Sequence, residues 1–253
     1  MIDVSIIIVC FNTKEFLENC LQSIKTHTNR VNYEVIVVDN ASTDESTTGI
    51  KGITGTTSTR IIQNKRSLFL RNKKNLGFAK ANNQGIKEAK GRYVLLLNQD
   101  TQLVENSLRK MADWMDKHQK VGIVSCKLVN ADKGIQATGG SFPALGRIFL
   151  WASFLDDLPF VGSIFGSYHP HAGRYFDSEH KQDWVTGAFM LIRCELINKS
   201  EYLDEDFFMY GEDVEYCLRA KKDGWQVWYT PTTQIIHFGS KMTERSIVGE
   251  FTA

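Results

Sequence analysis

Hydrophobic and polar positions alternate in blocks along the first half of the chain. Val4–Phe11 (VSIIIVCF) is an unbroken apolar run, the pattern of a parallel strand buried on both faces. Asn12 follows as a helix N-cap with Glu15 three residues on, and Phe16, Leu17, Cys20, Leu21 and Ile24 recur at helical spacing. Glu34–Val38 predicts a second buried strand, ending at Asp39-Asn40. Ser42 and Glu45 form another cap-like pair, and Gly49–Thr59 reads as a loop. A weaker strand is expected at Ser67–Leu70. Phe78, Ala81, Asn82, Gly85, Ile86 and Ala89 then mark one helix face, and Tyr93–Leu97 predicts a strand ending at Asn98-Gln99-Asp100. Leu103, Leu108, Met111, Ala112 and Met115 mark the next helix, and Val121–Cys126 a further strand. Such alternation implies right-handed crossovers on a mostly parallel α/β sheet.

The pattern changes after this. Residues 130–183 are rich in glycine, aromatics and histidine and have no sustained period. Val185–Arg193 reads as a strand, Gly211–Gly224 as a helix, and Trp225–Tyr229 and Gln234–Phe238 as short strands. No linker divides the chain. The expectation is a single domain over 1–253, with a nucleotide-binding half at 1–126 and an acceptor-side elaboration at 127–253.

Composition narrows the class. A chain of 253 residues with 42% hydrophobic and 23% charged residues can bury a large core, which argues against disorder and coiled coil. Its formal net charge of +1 gives no global field for nucleic acid. The cysteines (Cys10, Cys20, Cys126, Cys194, Cys217) are odd in number and widely spaced, as expected of reduced, mostly buried thiols in a cytoplasmic protein. No apolar run approaches the ~20 residues of a membrane span.

Candidate chemistry lies where apolar strands end, because ligands of open α/β sheets bind beyond the carboxyl ends of the strands. Asn12, Asp39-Asn40 and Asn98-Gln99-Asp100 stand there. The first strand–helix turn, Cys10-Phe11-Asn12-Thr13, has no glycine, so a dinucleotide fingerprint is missing. P-loop, zincin and nucleophile-elbow motifs are also missing. Arg60–Arg92 holds ten Lys/Arg against one acid, and within it Asn75-Leu76-Gly77-Phe78 opens a helix whose amides suit phosphate. Glu201–Glu215 reverses the balance, with seven acids among Tyr202, Phe207, Phe208 and Tyr210. From these residues alone, the acids at the helix start serve either the helix dipole or a carboxylate base.

Taken in order, Asn12, VVDNASTD (Val37–Asp44), NLGFAKANNQGI (Asn75–Ile86), LLLNQDT (Leu95–Thr101), VTGAFMLIR, GEDVEYCLR (Gly211–Arg219) and HFGS (His237–Ser240) resemble the inverting family-2 glycosyltransferases with the GT-A fold, nearest to the rhamnosyltransferase-like branch. The resemblance spans about residues 3–240. It implies that Phe11, Asn12, Asp39, Asn75, Gly77, Asn82, Asn98 and Gln99 line the nucleotide side, with Asp39 on the base or ribose. Asn98-Gln99-Asp100 occupies the place of the family's D-x-D metal motif, with Asn where the first acid belongs. Asp100 and His237 are thus implied as contacts of a divalent metal, Mn²⁺ or Mg²⁺, and an amide oxygen can coordinate either ion without adding charge. Asp213 matches the general base, with Glu212 the competing carboxylate. Trp184 and Gly187 would lie at the donor–acceptor junction.

The activity so implied is transfer of a sugar from a uridine or thymidine diphosphate donor, rhamnose among the candidate sugars. The acceptor would be a hydroxyl of a glycan or lipid-linked molecule in cell-surface polysaccharide synthesis. No nucleic-acid partner is implied. Phe142–Phe165 is aromatic and apolar, which suits either an ordinary buried or acceptor-loop segment or an interfacial patch meeting a lipid-linked acceptor, with peripheral association at the inner face of the membrane. Two alternatives stay open: a sugar nucleotidyltransferase, for which the expected Gly-rich basic loop is missing, and a non-catalytic nucleotide-sugar-binding protein, for which Asn98 is the main support.

Overall fold

The computed structural model describes residues 1–44, 66–153, 155 and 174–239. In chain order its elements are β1 (Ile2–Cys10), α1 (Lys14–His27), β2 (Tyr33–Asp39), β3 (Arg66–Arg71), α2 (Phe78–Glu88), β4 (Gly91–Leu97), β5 (Thr101–Leu103), α3 (Ser107–Lys117) and β6 (Val121–Val129). They continue with β7 (Gly139–Gly140), α4 (Leu145–Ala152), a 3₁₀ turn (Arg174–Asp177), β8 (His180–Lys181), β9 (Trp184–Val185), β10 (Phe189–Arg193), α5 (Cys194–Ser200), α6 (Glu212–Lys222) and β11 (Gln226–His237).

Nine strands form one sheet in the order β3-β2-β1-β4-β10-β6-β11-β5, with β8 also on β11; β7 and β9 pair separately. The longest pairings, β1 with β2 and β4, β2 with β3, and β6 with β11, are parallel. The strand β10 runs antiparallel between β4 and β6, so strands from both halves of the chain share the sheet.

Alternation along β1 explains its unbroken apolar sequence. Val4, Ile6, Ile8 and Cys10 pack on the face covered by α1 and α3, against Leu17, Leu21, Ile24 and Met111. Ile7 points to the other face, toward Ala79, Ala81 and Ile86 of α2 and Tyr216 and Cys217 of α6. Burial of this two-sided kind stabilises by roughly 25 cal/mol for each Å² of apolar surface withdrawn from water. All five cysteines are free thiols, four of them buried and Cys194 half-buried. Among the described residues no helix is long and apolar enough to cross a membrane.

Several local expectations need correction. Asn12 does not cap α1: the helix starts at Lys14, and Asn12 adopts φ 52°, a left-handed conformation that asparagine tolerates. Its side chain instead accepts from the Thr43 and Asp44 amides, at 2.7 and 3.2 Å, tying the end of β1 to the loop after β2. Leu103 lies in the short strand β5, outside α3, because residues 101–103 pair antiparallel with β11. Val185–Arg193 is two strands, interrupted at Thr186-Gly187-Ala188. The two strand pieces expected after Trp225 are one strand, β11, whose register on β6 slips between Thr230 and Gln234. Pro231, which has no N–H for a ladder, sits in that bulge, and Glu105 accepts from the Thr233 hydroxyl and the Gln234 amide. Ser42 accepts from the Asn12 amide at 3.0 Å. Glu45, the Gly49–Thr59 loop and much of Phe142–Phe165 lie outside the described residues.

Candidate active site

The registers of β1, β2 and β3 bring their carboxyl ends level: Cys10 faces Asp39, and Asp39 faces Arg71. Asp39 is 0% exposed. Its Oδ1 accepts from the Ser42 amide, three residues on, at 2.9 Å, and its Oδ2 lies 3.3 Å from Nε of the half-exposed Arg71. Phe11 is exposed at the end of the neighbouring strand.

The adjacent Asn40 organises the next wall. Its Nδ2 donates to Asn75 Oδ1 at 2.6 Å and to the Gly77 carbonyl at 3.2 Å. Its Oδ1 accepts from Asn72 Nδ2 and the Leu76 amide, at 3.1 and 2.9 Å. Asn72 in turn exchanges two hydrogen bonds with Gln84 of α2, each at 3.0 Å. This amide network pins the loop between β3 and α2. The start of α2 is not open to a ligand as the sequence suggests. Asn75 Oδ1 takes the Gly77 amide, and the Phe208 carbonyl takes the Phe78 amide, at 2.9 and 2.7 Å. Gly77 has φ 83°, and a Cβ on it would meet the Phe208 carbonyl oxygen at 2.4 Å, so its close approach is to the Phe207–Tyr210 segment. Asn82 is buried and donates to the Phe78 carbonyl within its own helix.

A second cluster follows β4. The Asn98 amide donates to the Ala188 carbonyl at 3.1 Å, which joins the 98–100 segment to the break between β9 and β10. Gln99 is half-buried between its neighbours, whereas Asp100 is 4% exposed. Asp100 Oδ1 lies 3.5 Å from Nε2 of His237 at the end of β11, and Asn98 Nδ2 lies 3.4 Å from the same nitrogen. Gln136 Oε1 contacts His237 Nδ1 at 2.8 Å. A proton on Nδ1 leaves the Nε2 lone pair of a neutral ring facing the Asp100 carboxylate. Two acceptors at that distance suit a cation, and imidazole, carboxylate and an amide oxygen are all donors that Mn²⁺ or Mg²⁺ accepts. Among the described residues no group of three or more His, Cys, Asp or Glu side chains could hold a metal, so any ion here would draw its remaining ligands from amide, phosphate or water oxygens.

The third cluster is the start of α6. Asp213 Oδ2 accepts from the Gly187 amide at 3.2 Å, and Oδ1 accepts from the Val214 amide at 2.8 Å. Burial raises its pKa, while these amides pull it back. Glu212 differs. It is 5% exposed, its Oε2 has no hydrogen-bond partner among the described residues, and burial, with Asp213 beside it, lifts its pKa to about 7. Glu215 is engaged by Arg219 in a bidentate pair. Gly187 lies between Asp213 and the Phe78 ring, which a Cβ there would approach to 3.1 Å. Trp184 is buried and donates from Nε1 to the Ser141 carbonyl at 3.1 Å.

The three clusters are therefore continuous. His237 and Asp100 reach Asn98; Asn98 reaches Ala188; Gly187 reaches Asp213; and the loop before α6 covers Gly77 beside Asn40. Sequence inspection singled out most of these positions, Phe208 only as one of the aromatics among the acids, but did not weigh Asn72, Gln84 or Gln136. Asn40, next to Asp39, offered the best signal. Gln136 offered none, standing alone in an aperiodic stretch.

With this arrangement in view, likeness to known proteins is informative. An N-acetylglucosaminyl-diphospho-decaprenol L-rhamnosyltransferase of Mycobacterium tuberculosis is 24% identical, covering 98% of this chain and 80% of that protein. The S. aureus TarS 1-349 structure superposes with a TM-score of 0.62 at 18% identity, covering 94% of this chain and 60% of that one. The mannosyltransferase PcManGT from Pyrobaculum calidifontis, in complex with GDP-Man and Mn²⁺, gives a TM-score of 0.62 at 17% identity, covering 92% and 56%. The chain thus spans less than two thirds of the length of these two solved chains. The structural likenesses show the GT-A fold. The family described as "Glycosyl transferase family 2" matches residues 5–199, which take in the Asp39 and Asn98–Asp100 strand ends and stop before Asp213 and His237. With that match running from β1 to the end of α5, the chain belongs to glycosyl transferase family 2.

Proposed function

We propose that this protein is an inverting, divalent-metal-dependent transferase that moves a sugar from a dTDP- or UDP-sugar, rhamnose among the candidates, to a hydroxyl of a glycan or lipid-linked acceptor in cell-surface polysaccharide synthesis. The observation that carries the reading is the hydrogen-bonded bridge Asn98–Ala188–Gly187–Asp213. It sets the Asp100–His237 pair and a half-buried carboxylate on either side of one short turn. The names of related proteins agree: the mycobacterial relative is a rhamnosyltransferase, another relative is an O-antigen biosynthesis protein, and TarS has a structure in complex with UDP.

In this reading Asp39 accepts hydrogen bonds from the base or ribose, with Phe11 and Asn12 on one side and Asn75, Gly77 and Asn82 supporting the other. Asp100 and His237, assisted by Asn98 and Gln99, would hold the divalent ion, which when bound neutralises charge on the departing diphosphate. Asp213 is the base. As the acceptor oxygen bonds to the anomeric carbon, the hydroxyl proton passes to the Asp213 carboxylate and the bond to the diphosphate breaks on the opposite face. One in-line displacement inverts the centre and requires no covalent enzyme nucleophile. Desolvation makes Asp213 a stronger base than an exposed aspartate, and the Gly187 amide fixes its direction. Trp184 and Gly187 shape the donor–acceptor junction. A protein acting on a lipid-linked acceptor would work peripherally at the inner membrane face, and α4 exposes Leu145, Ile148 and Phe149, which suits that position.

The test is transfer and donor affinity measured side by side for Asp213→Asn and Glu212→Gln. Asp213→Asn should lower kcat by about 10²–10⁴ with donor affinity nearly intact, because a base contributes in the transition state. Glu212→Gln should still turn over. Pyrophosphate among the products, or a dead Glu212→Gln beside a normal Asp213→Asn, would refute the assignment.

A further inference from the structure

Gln136 belongs to no helix or strand and bears no charge, yet both polar atoms of its side chain act on one residue. Its Oε1 contacts His237 Nδ1 at 2.8 Å, and its Nε2 donates to the His237 carbonyl at 2.8 Å and also to Asn130 Oδ1. The second set of contacts settles the first. Carbonyl and amide oxygens only accept, so the atom directed at them must be the NH₂ group. The oxygen of Gln136 is then the atom facing Nδ1, and an oxygen there accepts a proton from the ring. Nδ1 of His237 consequently carries a proton, and in the neutral ring the lone pair is then on Nε2, directed at Asp100 Oδ1 and Asn98.

The backbone makes this a fixed feature. Beyond β6 the chain turns back through residues 130–135: the Asn130 amide donates to the Gly134 carbonyl at 2.8 Å, and the Lys133 amide to the Asn130 carbonyl at 2.9 Å. Ile135 then forms an antiparallel bridge to Val129, and the Gln136 amide donates to the Leu128 carbonyl at 2.9 Å. On the other side of β6, β11 pairs Leu128 with Ile235 and Val129 with Ile236, which delivers His237 directly opposite.

We propose that Gln136 is a positioning residue that selects the Nδ1-protonated tautomer of His237, so that Nε2 is presented to the divalent cation beside Asp100. This rests on the metal-dependent reading above and extends it to a residue outside the ligand set. A partner that orients a ligating histidine typically changes metal affinity 10–100-fold when removed.

The experiment uses the full chain with Gln136→Leu and Gln136→Glu. Leucine removes the acceptor, whereas glutamate keeps an acceptor for Nδ1–H and loses the donor to the His237 carbonyl and to Asn130 Oδ1. Two readouts are taken: the tautomer of His237 by ¹⁵N NMR of the metal-free protein, and Mn²⁺ affinity by calorimetry in the presence of UDP. The expected result is an Nδ1–H ring in wild type and Gln136→Glu and a mixed or Nε2–H ring in Gln136→Leu. Mn²⁺ binding should weaken about 10–100-fold in Gln136→Leu and be restored to within a few-fold in Gln136→Glu. A folded Gln136→Leu with wild-type tautomer and affinity overturns the proposal. So does equal weakening in both variants, which would mark a merely structural role. Wild-type protein that takes up no Mn²⁺ overturns the cation reading instead, and the ring spectra then decide independently whether Gln136 sets the tautomer.

Discussion

Replacing Glu212 by glutamine should make this protein progressively more stable relative to wild type as the pH rises from acid to alkaline. The side chain is 5% exposed, one carboxyl oxygen has no hydrogen-bond partner among the described residues, and Asp213 stands next to it. Burial and that neighbour lift the pKa from 4.5 to about 7. Between those two values the unfolded chain has lost the proton and the folded chain still holds it. Stability therefore falls as pH rises through this window, is fully retained below 4.5, and reaches its floor above 7. The gap corresponds to about 3 kcal/mol, an order-of-magnitude figure. Glutamine brings a buried amide whose own unmet hydrogen bonds cost about 1–3 kcal/mol at every pH, so the diagnostic quantity is the change with pH and not the absolute difference. Urea unfolding of wild type and Glu212→Gln at pH 4 and pH 8 measures it. The variant should gain about 3 kcal/mol relative to wild type between the two conditions, or about 6–12 °C in melting temperature for a chain of this size. A stability difference that stays constant from pH 4 to pH 8 would refute the picture of a carboxyl forced to ionise in a dry site.

Asp100→Ala should weaken Mn²⁺-dependent binding of UDP, whereas Asp39→Ala should weaken UDP binding with or without metal; calorimetric titrations that leave both unchanged would remove the site assignment. Gly77→Ala should destabilise by about 1–3 kcal/mol or more, because φ is 83° and the added Cβ would lie 2.4 Å from the Phe208 carbonyl oxygen. Denaturation curves within ~0.5 kcal/mol of wild type would show that the Phe207–Tyr210 segment yields easily.

The legible part of the fold was the part built from two-sided burial. β1, β2 and β4 are continuous apolar runs because helices cover both faces, and such runs announce themselves without knowledge of their neighbours. Asp39 and Asp100 were recognisable for the same reason: each interrupts apolar sequence at a strand end. What stayed hidden depends on partners far along the chain. β5 has three residues and becomes a strand only through β11, and β10 enters antiparallel between β4 and β6, a direction its apolar pattern does not encode. Asn12 was misread as a cap because asparagine suits both a cap and the left-handed turn it adopts, and only the contact with residues 43–44 decides between them. Gln136 carries no periodicity and no charge, so nothing local marks it.

The bulge in β11 has a consequence for which changes of length this chain can absorb. Thr230 lies opposite Cys126, but Gln234 lies opposite Lys127, so three residues have no counterpart on β6. Side chains alternate faces along a strand, and an odd number of extra residues exchanges which of them point to which side. His237 reaches Asp100 only in the phase that this insertion produces. Losing or gaining one residue between Thr230 and Gln234 would turn the imidazole to the opposite face of the sheet while leaving every amino acid of the site in place.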